Sequence, residues 1–404
     1  MNEPYARADS TVKLLVFSSL YPSRARPRHG IFIENRIRHL HATQDVSVRV
    51  VSPVPWFPVA ARWAGRHAQF ARVPRAEQRH GIDVIYPRFA VLPKVGMMLA
   101  PHLMAAAMYP VLRTIIADGF DFDVLDAYYF YPDGVAAARL GARLRKPVII
   151  TALGTDLNEI PRFALPRRMI VRAAAHAHGI TTVSAALKAR LVELGVDAAR
   201  ITPVIHGVDH ALFCPPRERA ALRARLGLQR RTLLSVGNLI ALKGHHLAIE
   251  ALAQLPECEL LIAGDGPQRG DLERLAQRLG VAGRTRFLGL VAHERLPELY
   301  GAADALVLAS SNEGMANVLI ESLACGTPVL ATRVGGSPEV VAAPQAGLLL
   351  DERSAAALVR AARALFADPP ARAATRAYSR RFAWEQTAAA HMAVVRAALG
   401  PVPE

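Results

Sequence analysis

Cysteine and lysine are scarce in this chain of 404 residues. The three cysteines, Cys214, Cys258 and Cys325, show no metal-ligand spacing and are odd in number, so we expect buried free thiols in a reducing compartment. Only five of the 49 basic residues are lysines. The arginine excess therefore carries little chemical information, whereas a lysine at a key position is informative.

Two common phosphate-binding fingerprints are absent. Gly264-Asp265-Gly266 is followed by Pro267 and has no third glycine at dinucleotide spacing. This absence disfavours a nicotinamide oxidoreductase, which we keep as a distant alternative. The segment 237–243 also lacks the spacing of a Walker loop and its following Ser or Thr.

Neither a secretion signal nor a membrane-spanning helix is predicted. Residues 1–10 are polar, and a core strand begins near Thr11. The most apolar window, residues 95–116, is interrupted by Pro101, His102 and Pro110. We therefore expect a cytoplasmic protein, with a peripheral position on the inner face of the plasma membrane as the further option.

The net charge of +15 is concentrated in the first half of the chain. Residues 1–205 carry 27 Lys and Arg against 15 Asp and Glu, whereas the remainder carries 22 against 19. Such a field attracts anions: nucleic acid, anionic lipid or a phosphorylated substrate.

Short apolar runs alternate with helical stretches along the chain, and several runs are apolar on both faces, as buried parallel strands are. This alternation predicts an α/β fold of two Rossmann-like, doubly wound domains facing across a cleft. The pattern breaks near Pro215-Pro216, so we place the domains at 1–206 and 207–382, with a terminal helical segment, 383–404, crossing back to the first. The predicted strands are residues 12–18, 46–52, 123–127, 147–151, 180–184 and 201–205, then 232–237, 259–263, 286–289, 305–309, 328–332 and 347–350.

The strongest motif follows the strand that ends at Ala309. It places Glu313 in a strand-to-helix turn and Glu321 on a helix predicted from about Asn317 to Ala324. Free amides before that helix are a favourable place for phosphate, and two carboxylates eight residues apart can accept hydrogen bonds from sugar hydroxyls. A capping glutamate followed by a solvated one is the alternative.

Three further segments follow predicted strands. Lys243 stands at a helix start, where an ammonium suits a diphosphate; an ordinary surface lysine is the alternative. Gly264 and Gly266 predict either a tight turn or a backbone contact to a nucleotide. Gly30 precedes a helix from about Ile31 and lets backbone approach a phosphate, although a flexible basic loop explains it equally well.

In combination these segments resemble glycosyltransferase family 4, whose members have the GT-B fold, and the resemblance covers nearly the whole chain. The matching stretches are Glu313 to Glu321 with the following Leu323 to Val329, Gly335 to Glu339, Gly237 to Gly244, Gly264 to Pro267, and His206 to Asp209. The Gly30-Ile31-Phe32 loop is similar to the branch that builds bacterial exopolysaccharide, teichuronic acid or lipopolysaccharide.

The resemblance implies roles for individual residues. Glu313 is expected to bind the donor sugar and support charge at the reacting centre, Lys243 to hold the diphosphate, and Glu321 to bind the ribose. The first two are the expected catalytic residues. The full expected donor set is Gly30, Gly237, Asn238, Lys243, Gly264, Gly266, Val291, Glu313, Gly314, Met315, Ala316, Asn317 and Glu321. A retaining reaction is implied, with a UDP- or GDP-linked sugar as co-substrate, no cofactor and no metal requirement.

Two positions depart from the family pattern. Asn238 stands where the family usually has an arginine beside its lysine, so one cation for the leaving group is missing unless another arginine substitutes. Leu153 stands where a histidine that contacts the donor sugar is common. Three residues later, Asp156 either lines the cleft or caps a helix.

An aromatic and basic segment predicts the acceptor side. Its members are Trp56, Phe57, Trp63 and Phe70 with Arg62, Arg66, Arg72, Arg75 and Arg79. This composition suits docking on an anionic inner leaflet to reach a lipid-diphosphate-linked acceptor, and core aromatics beside a solvated basic face are the alternative. No nucleic-acid motif accompanies the segment, so we expect no nucleic-acid partner.

We therefore expect a retaining glycosyltransferase that moves a sugar to a glycan or lipid-linked acceptor in bacterial surface-polysaccharide assembly. A catalytically silent GT-B protein that binds a nucleotide sugar or acts as a scaffold is the main alternative, supported by Asn238 and Leu153. A GT-B epimerase is disfavoured because the first domain shows no acid and base groups for it.

Overall fold

The computed structural model describes residues 11–43, 45–56, 68–91 and 96–400. The chain divides into two compact units. Unit 1 comprises Met1–His206 with Thr387–Glu404, and unit 2 comprises Gly207–Gln386. The terminal segment thus joins unit 1 from Thr387, four residues later than the boundary drawn from the sequence.

Unit 1 is built on an eight-stranded sheet with the order β10-β9-β8-β7-β1-β2-β5-β4. All its pairs are parallel except β4 with β5, and β3 pairs with β6 in a separate two-stranded sheet. Its strands are β1 (Val12–Phe17), β2 (Val46–Val51), β3 (Val54–Trp56), β4 (Ala76–Arg79), β5 (Ile82–Ile85), β6 (Arg88–Ala90), β7 (Val124–Tyr128), β8 (Val148–Ala152), β9 (Gly179–Thr182) and β10 (Ile201–Pro203). Its helices are α1 (Ile31–Ala42), α2 (Ala68–Ala71), α3 (Gly96–Ala117), α4 (Val135–Leu144), α5 (Thr155–Asn158), α6 (Ala164–His176) and α7 (Ala185–Glu193).

Unit 2 is built on a six-stranded, all-parallel sheet with the order β13-β12-β11-β14-β15-β16. This is the strand order of a doubly wound dinucleotide-binding sheet. Its strands are β11 (Arg231–Val236), β12 (Cys258–Ala263), β13 (Thr285–Gly289), β14 (Ala305–Leu308), β15 (Val329–Thr332) and β16 (Gly347–Leu350). Its helices are α8 (Arg219–Arg225), α9 (His245–Leu252), α10 (Arg269–Arg278), α11 (Leu296–Ala302), α12 (Asn317–Ala324), α13 (Ser337–Val340), α14 (Ala355–Ala367) and α15 (Arg372–Ser379), followed by α16 (Trp384–Leu399), which begins in this unit.

Each unit has its own apolar core around the central strands. In β12 all six residues are buried, as the continuous apolar run Cys258–Ala263 requires of a strand covered on both faces. In β7 and β8 every residue is buried as well. These fully buried strands hold the carboxyl ends of the sheets in fixed positions, and the candidate site lies in loops at the carboxyl edge of the unit 2 sheet.

Four strands of unit 1, β3 to β6, are absent from the pattern read in the sequence. The pair β4 and β5 forms an antiparallel hairpin whose turn is His80-Gly81, both at positive φ (51° and 79°). Two positive φ values are the signature of a type I′ hairpin turn. Strands β4 and β5 are short and half-exposed, so their sequences give little hydrophobic signal.

The apolar window near residue 100 forms one continuous helix, α3, with Pro101 and Pro110 inside it. The expectation that these prolines break the segment is therefore wrong. By length and composition α3 could cross a membrane, and 33% of its most apolar window is buried within the protein. All three cysteines are free, but Cys214 is exposed, which corrects the expectation that all three are buried.

Candidate functional site

The sheet of unit 2 has its topological switch point between β11 and β14. These neighbours are connected onward in opposite directions across the sheet, because β11 leads to β12 on one side and β14 leads to β15 on the other. In open α/β sheets such a point leaves a crevice at the carboxyl ends of the strands, where ligands bind. The two loops that meet there are residues 237–244 after β11 and residues 309–316 after β14.

Lys243 and Glu313 meet at this crevice. The Lys243 ammonium donates to Oε1 of Glu313 at 2.6 Å, and the Ser310 hydroxyl donates to the same oxygen at 2.6 Å. The Glu313 side chain is 10% exposed and that of Lys243 is 23% exposed. The Thr332 hydroxyl in turn donates to the Ser310 carbonyl at 2.6 Å, so the carboxylate is fixed from β14 and from β15.

Close backbone approach brings the two loops together. Gly244 has φ +70° and caps α9, and a Cβ at this position would lie 2.0 Å from the carbonyl oxygen of Ala309. The Ser311 amide also donates to the Leu242 carbonyl at 2.8 Å. Any larger residue at 244 would therefore separate Lys243 from Glu313.

The loop after β12 packs on the loop after β11. A Cβ on Gly264 would lie 1.8 Å from the Gly237 carbonyl oxygen, and one on Gly266 would lie 2.6 Å from the Leu239 carbonyl oxygen. The Gly237 position itself lies against the Lys243 side chain, with 3.6 Å between a built Cβ and the lysine Cδ. These three predicted glycines thus support the position of Lys243 by close contact.

Asn238 is exposed, and its backbone carbonyl contacts His245. His245, which is 2% exposed, lies within hydrogen-bond distance of the Asn238 carbonyl (3.2 Å from Nε2) and of the Ser235 hydroxyl (2.8 Å from Nδ1). Burial lowers the pKa of His245 to about 4, so the neutral ring links the end of β11 to the loop that carries Lys243.

The turn between Glu313 and α12 offers backbone donors. The amides of Gly314, Met315, Ala316 and Asn317 donate no hydrogen bond within the described ranges, and α12 begins at Asn317. The Asn317 side-chain oxygen is buried without a hydrogen-bond partner in that part of the chain. Such amides at a helix start are suited to an anion or to sugar oxygens.

Glu321 lies on α12, and its hydrogen-bond partners are different from those of Glu313. Tyr300 donates its hydroxyl to Oε2 of Glu321 at 2.8 Å, and His293 Nε2 lies 3.1 Å from Oε1. Burial, with the nearby carboxylate, raises the pKa of Tyr300 well above its usual value, so the phenol stays a donor. The His293 ring in turn packs edge-on against Phe213 at 5.1 Å between ring centroids.

Val291 lies in the short loop between β13 and α11 and is half-buried. Its neighbour Leu290 is 62% exposed. The same loop leads to His293, so this expected donor-binding residue is continuous in sequence with the residue that holds Glu321.

In unit 1, Gly30 lies at the corresponding switch point between β1 and β7. It caps α1 at φ +72°, and a Cβ there would lie 1.4 Å from the Leu20 carbonyl oxygen, so only glycine fits. The same loop is held by Asp133, which accepts hydrogen bonds from the amide and the hydroxyl of Ser19. Burial raises the pKa of Asp133 to about 7.

Asp156 is fully buried. Its carboxylate accepts the amides of Phe130 at 2.7 Å, Gly154 at 2.6 Å and Leu153 at 3.1 Å, and burial raises its pKa. The donors are the amide of Phe130 and two loop amides before α5, and the start of α5 has no side-chain cap hydrogen bond. The carboxylate orders the loop between β8 and α5 and offers no exposed oxygen to a cleft.

One arginine lies beside the Lys243 loop. Arg353 donates from Nε to the Ala309 carbonyl at 2.9 Å and from its terminal nitrogen to the Ala241 carbonyl at 3.4 Å. It therefore braces the same two loops from β16. It also adds positive charge beside the loop that carries Lys243.

The aromatic and basic segment is only partly described. Phe57, Arg62, Trp63 and Arg66 lie outside the described residues. Trp56 is 51% exposed, whereas Arg26 stacks over the Phe70 ring at 4.4 Å and Arg79 pairs with Glu34 and Glu77. Arg72 and Arg75 are exposed. Within the described residues, no group of three His, Cys, Asp or Glu side chains is arranged to hold a metal ion.

Sequence reasoning did not assign roles to four residues that organise the site. Ser310 could have been found, because a hydroxyl three residues before Glu313 faces the same turn. Tyr300, His293 and His245 carry no such signal. The first two reach Glu321 from 21 and 28 residues away, and the partners of His245 are backbone and a strand hydroxyl.

Comparison with protein families accounts for both halves of the chain. Residues 30–212 match the family described as Glycosyltransferase Family 4, and residues 218–382 match the family described as Glycosyl transferases group 1. TuaC of Bacillus subtilis (strain 168), named as a teichuronic acid biosynthesis glycosyltransferase, is 29% identical over 356 residues, which cover 87% of this chain and 88% of TuaC.

Two other similarities are more restricted. A D-inositol 3-phosphate glycosyltransferase of Corynebacterium urealyticum is 38% identical over 219 residues, about half of each chain (49% and 51%). The crystal structure of Anabaena HepE in complex with UDP superposes with a TM-score of 0.72 at 22% identity, covering 95% of this chain and 99% of HepE. That likeness shows a shared GT-B fold. The chain therefore belongs to the family 4 type of glycosyltransferases with the GT-B fold.

Proposed function

We propose that the protein is a retaining glycosyltransferase that transfers a sugar from a UDP- or GDP-linked donor to a glycan or lipid-diphosphate-linked acceptor in surface-polysaccharide assembly. The observation that carries the donor part is the Lys243–Glu313 pair, 2.6 Å apart at the switch point of unit 2. HepE, which has the same fold, was crystallised with UDP, with UDP and glucose, and with UDP-glucose. TuaC supports the polysaccharide setting through its name.

Lys243 and Glu313 have complementary tasks in this proposal. The ammonium of Lys243 exchanges its carboxylate partner for the diphosphate as donor binds, and the released Glu313 oxygen accepts a hydroxyl of the sugar. As the bond between the anomeric carbon and the diphosphate oxygen breaks, positive charge grows on the sugar and negative charge on the leaving group. A fixed carboxylate and a fixed ammonium stabilise both.

The remaining residues position the nucleotide and the sugar. The amides of residues 314–317, which donate no hydrogen bond within the described residues, would bind phosphate or sugar oxygens. Glu321, held by Tyr300 and His293, would bind the ribose. Gly30 remains the expected contact from unit 1. No metal takes part in the proposal, and transfer should persist in excess EDTA.

Binding of nucleotide sugars is the first test. A panel of UDP- and GDP-sugars, with free UDP and GDP as references, is added to the full chain and the unfolding temperature is measured. Selective stabilisation by one base and sugar, growing with ligand excess, is expected. A flat response to every nucleotide would contradict the donor site.

The Glu313→Ala variant separates binding from chemistry. Transfer is expected to disappear while nucleotide affinity changes only several-fold, since Lys243 and the backbone amides remain. Normal turnover by this variant would overturn the role given to Glu313.

A silent nucleotide-sugar-binding protein is the second candidate, and the exposed Asn238 favours it because one cation for the leaving group is missing. It predicts saturable nucleotide-sugar binding without release of UDP or GDP, whether an acceptor is present or absent. Release of nucleotide in either condition eliminates this candidate.

A further inference from the structure

A groove of about 700 Å³ lies in unit 1 between α3, α4 and α6. Its walls are apolar and its rim is basic. It is lined by His102, Val135, Ala138, Arg139, Ala142, Leu165, Arg168, Met169, Arg172, Ala173 and His176. No carboxylate is among the lining residues.

Helical spacing explains why these residues share the groove. On α6 the lining residues recur at intervals of three and four from Leu165 to His176, which places them on one face. On α4 Val135, Ala138, Arg139 and Ala142 follow the same rule. Each helix thus presents one stripe to the groove, and small or apolar residues alternate with arginine along it.

Three arginines at the rim have no anionic partner among the described residues. Arg139, Arg168 and Arg172 are exposed, and none forms an ion pair or donates a side-chain hydrogen bond within the described residues. Arg168 and Arg172 are also one helical turn apart, where like charges repel each other. An anion between them would relieve this repulsion, so the groove is electrostatically incomplete as it stands.

His102 adds a polar group on the α3 side. Its Nδ1 atom is buried with no hydrogen-bond partner in the described part of the chain, although the residue itself is only half-buried. Burial, and then the charge of Arg139, lowers the pKa of His102, so the ring is neutral near neutral pH. It therefore offers hydrogen bonding rather than charge.

Large apolar side chains are exposed beside the groove. Leu165 is 41% exposed, Phe163 just before α6 is 53% exposed, and Met98, one turn before His102 on α3, is 43% exposed. The neighbours Met97 and Leu99 are 39% and 41% exposed. Half of the large apolar residues exposed in the described chain therefore lie at the starts of two neighbouring helices.

We propose that this groove docks on an anionic phospholipid surface. Lipid phosphates would lie between Arg139, Arg168 and Arg172, and the apolar side chains at the starts of α3 and α6 would enter the headgroup region. The combination of cations without carboxylates and exposed apolar residues fits an amphiphile with a phosphate head. None of the lining residues belongs to the aromatic and basic segment read in the sequence, and the proposal does not depend on the proposed donor site.

Vesicle binding by the full chain tests the proposal. The protein is sedimented with phosphatidylcholine vesicles and with vesicles that also contain phosphatidylglycerol. Binding to the anionic vesicles only, weakened by added salt, is expected. Equal binding to both compositions, or binding to neither, would overturn it.

Matched variants locate the surface. The double variant Arg168→Gln/Arg172→Gln should partition about 30-fold less onto anionic vesicles, the fold-change of two lost arginine contacts with headgroups. Arg72→Gln/Arg75→Gln removes the same charge from the same unit and serves as the comparison. If the second pair weakens binding as much as the first, or more, the groove is not the docking surface.

The apolar contribution is tested without changing charge. Met98→Ser/Leu165→Ser should also weaken binding to anionic vesicles, and unchanged binding would contradict insertion at the helix starts. The thermal shift by UDP is measured on all these variants. A loss confined to vesicle binding separates this surface from the donor site, and failure of the donor site would leave the vesicle result interpretable.

Discussion

The Glu313 carboxylate receives two charge-stabilising contacts on one oxygen, from the Lys243 ammonium and the Ser310 hydroxyl, each at 2.6 Å. In the proposed reaction the lysine leaves this oxygen for the diphosphate, whereas the serine can remain. Ser310 is therefore a positioning residue: it acts on substrate only through the orientation of Glu313.

Replacement of Ser310 by alanine should lower kcat more than it raises KM. A hydrogen bond to a charged group contributes about 1.5–3 kcal/mol, which corresponds to roughly a 10- to 100-fold loss if the orientation of Glu313 matters mainly in the transition state. Steady-state kinetics with the preferred donor gives both constants. Partial recovery by Ser310→Thr, which keeps the hydroxyl, is expected, and a change in KM alone would argue against orientation of the reacting carboxylate.

His245 makes the Lys243 loop sensitive to acid. Its pKa falls from 6.5 to about 4 on folding, so the folded state binds fewer protons than the unfolded state between these values. The contribution of the neutral His245 ring to folding stability is thus fully present above the unfolded-state pKa and is lost as the pH falls from 6.5 toward 4. Between about pH 7.5 and pH 5 this single group should cost about 2 kcal/mol of the free energy of unfolding.

Urea unfolding of the wild type and of His245→Gln at the two pH values checks this effect. Other histidines also have lowered pKa values, among them His206 and His29, so only the difference between the two proteins is informative. The wild type should lose more stability on acidification than the variant. Equal losses would mean that the ring of His245 does not resist protonation.

Residue roles were predictable from the sequence where position along a strand reveals them. Glu313 and Lys243 follow buried strands, and the carboxyl ends of parallel strands meet at one edge of a sheet, so their proximity could be expected. The ring and phenol that hold Glu321 could not, because nothing in the sequence pairs His293 or Tyr300 with a helix some 20 residues later. Asp156 was ambiguous for a related reason: the sequence does not reveal that its carboxylate is buried and bound by loop amides.

At the scale of elements, the connection between β11 and α9 depends on one glycine. Gly244 has φ +70°, and a Cβ there would lie 2.0 Å from the Ala309 carbonyl oxygen. Gly280 has nearly the same φ, +69°, but a Cβ there meets nothing within 4 Å. An alanine at either position would thus suffer the same backbone strain. Only at position 244 would its Cβ also collide with a neighbouring backbone atom.

Gly244→Ala should therefore abolish or greatly weaken the thermal shift by UDP, because Lys243 is displaced from the loop after β14. Gly280→Ala should lose about 1 kcal/mol of stability from its left-handed backbone and keep nucleotide affinity. Nucleotide titrations of both variants, with their unfolding temperatures, make the comparison. Equal nucleotide affinities would show that the contact between the loops is unimportant for the site.

Elements with a clear buried apolar pattern were better predicted than short, half-exposed ones. Helix α12 begins and ends at the predicted residues, 317 and 324, because a buried apolar stripe follows a turn rich in Gly and Asn. Strands β3 to β6 were missed, since each has three or four residues and lies where half of them face solvent. In α3 the helix-breaking effect of the two prolines was overestimated. Tertiary packing on α4 and α6 maintains a helix that local propensity disfavours.

At the scale of the whole molecule, the alternation of buried strands and helices was enough to predict two doubly wound units. The end of the chain is less obvious. Helix α16 begins in unit 2, and its residues from Thr387 onward belong to unit 1. There His391, 1% exposed, lies 2.9 Å from Asp126 and 3.0 Å from Arg36, both of them buried.

This buried network makes the last helix part of the core of unit 1. Asp126 lies on the central strand β7 and Arg36 on α1, so one imidazole joins a sheet, a helix and the chain terminus. Removal of His391 leaves a buried carboxylate and a buried guanidinium without their shared partner, and breaking a buried ionic group in this way costs about 3–5 kcal/mol. Arg396, on the same helix, is 65% exposed and lies 3.9 Å from Asp45, a surface pair that contributes at most about 1 kcal/mol.

His391→Ala should therefore destabilise the protein by several times as much as Arg396→Ala. Urea unfolding at neutral pH, followed by far-UV circular dichroism, measures the difference, and the UDP-induced thermal shift shows whether unit 2 is still folded. A shift of one unfolding transition of the His391→Ala variant to a lower urea concentration than in the wild type, while nucleotide binding persists, would show that the network stabilises unit 1 itself. Equal, small losses for the two variants would mean that apolar packing of α16, through Met392 and Val395, holds the terminus without the buried charges.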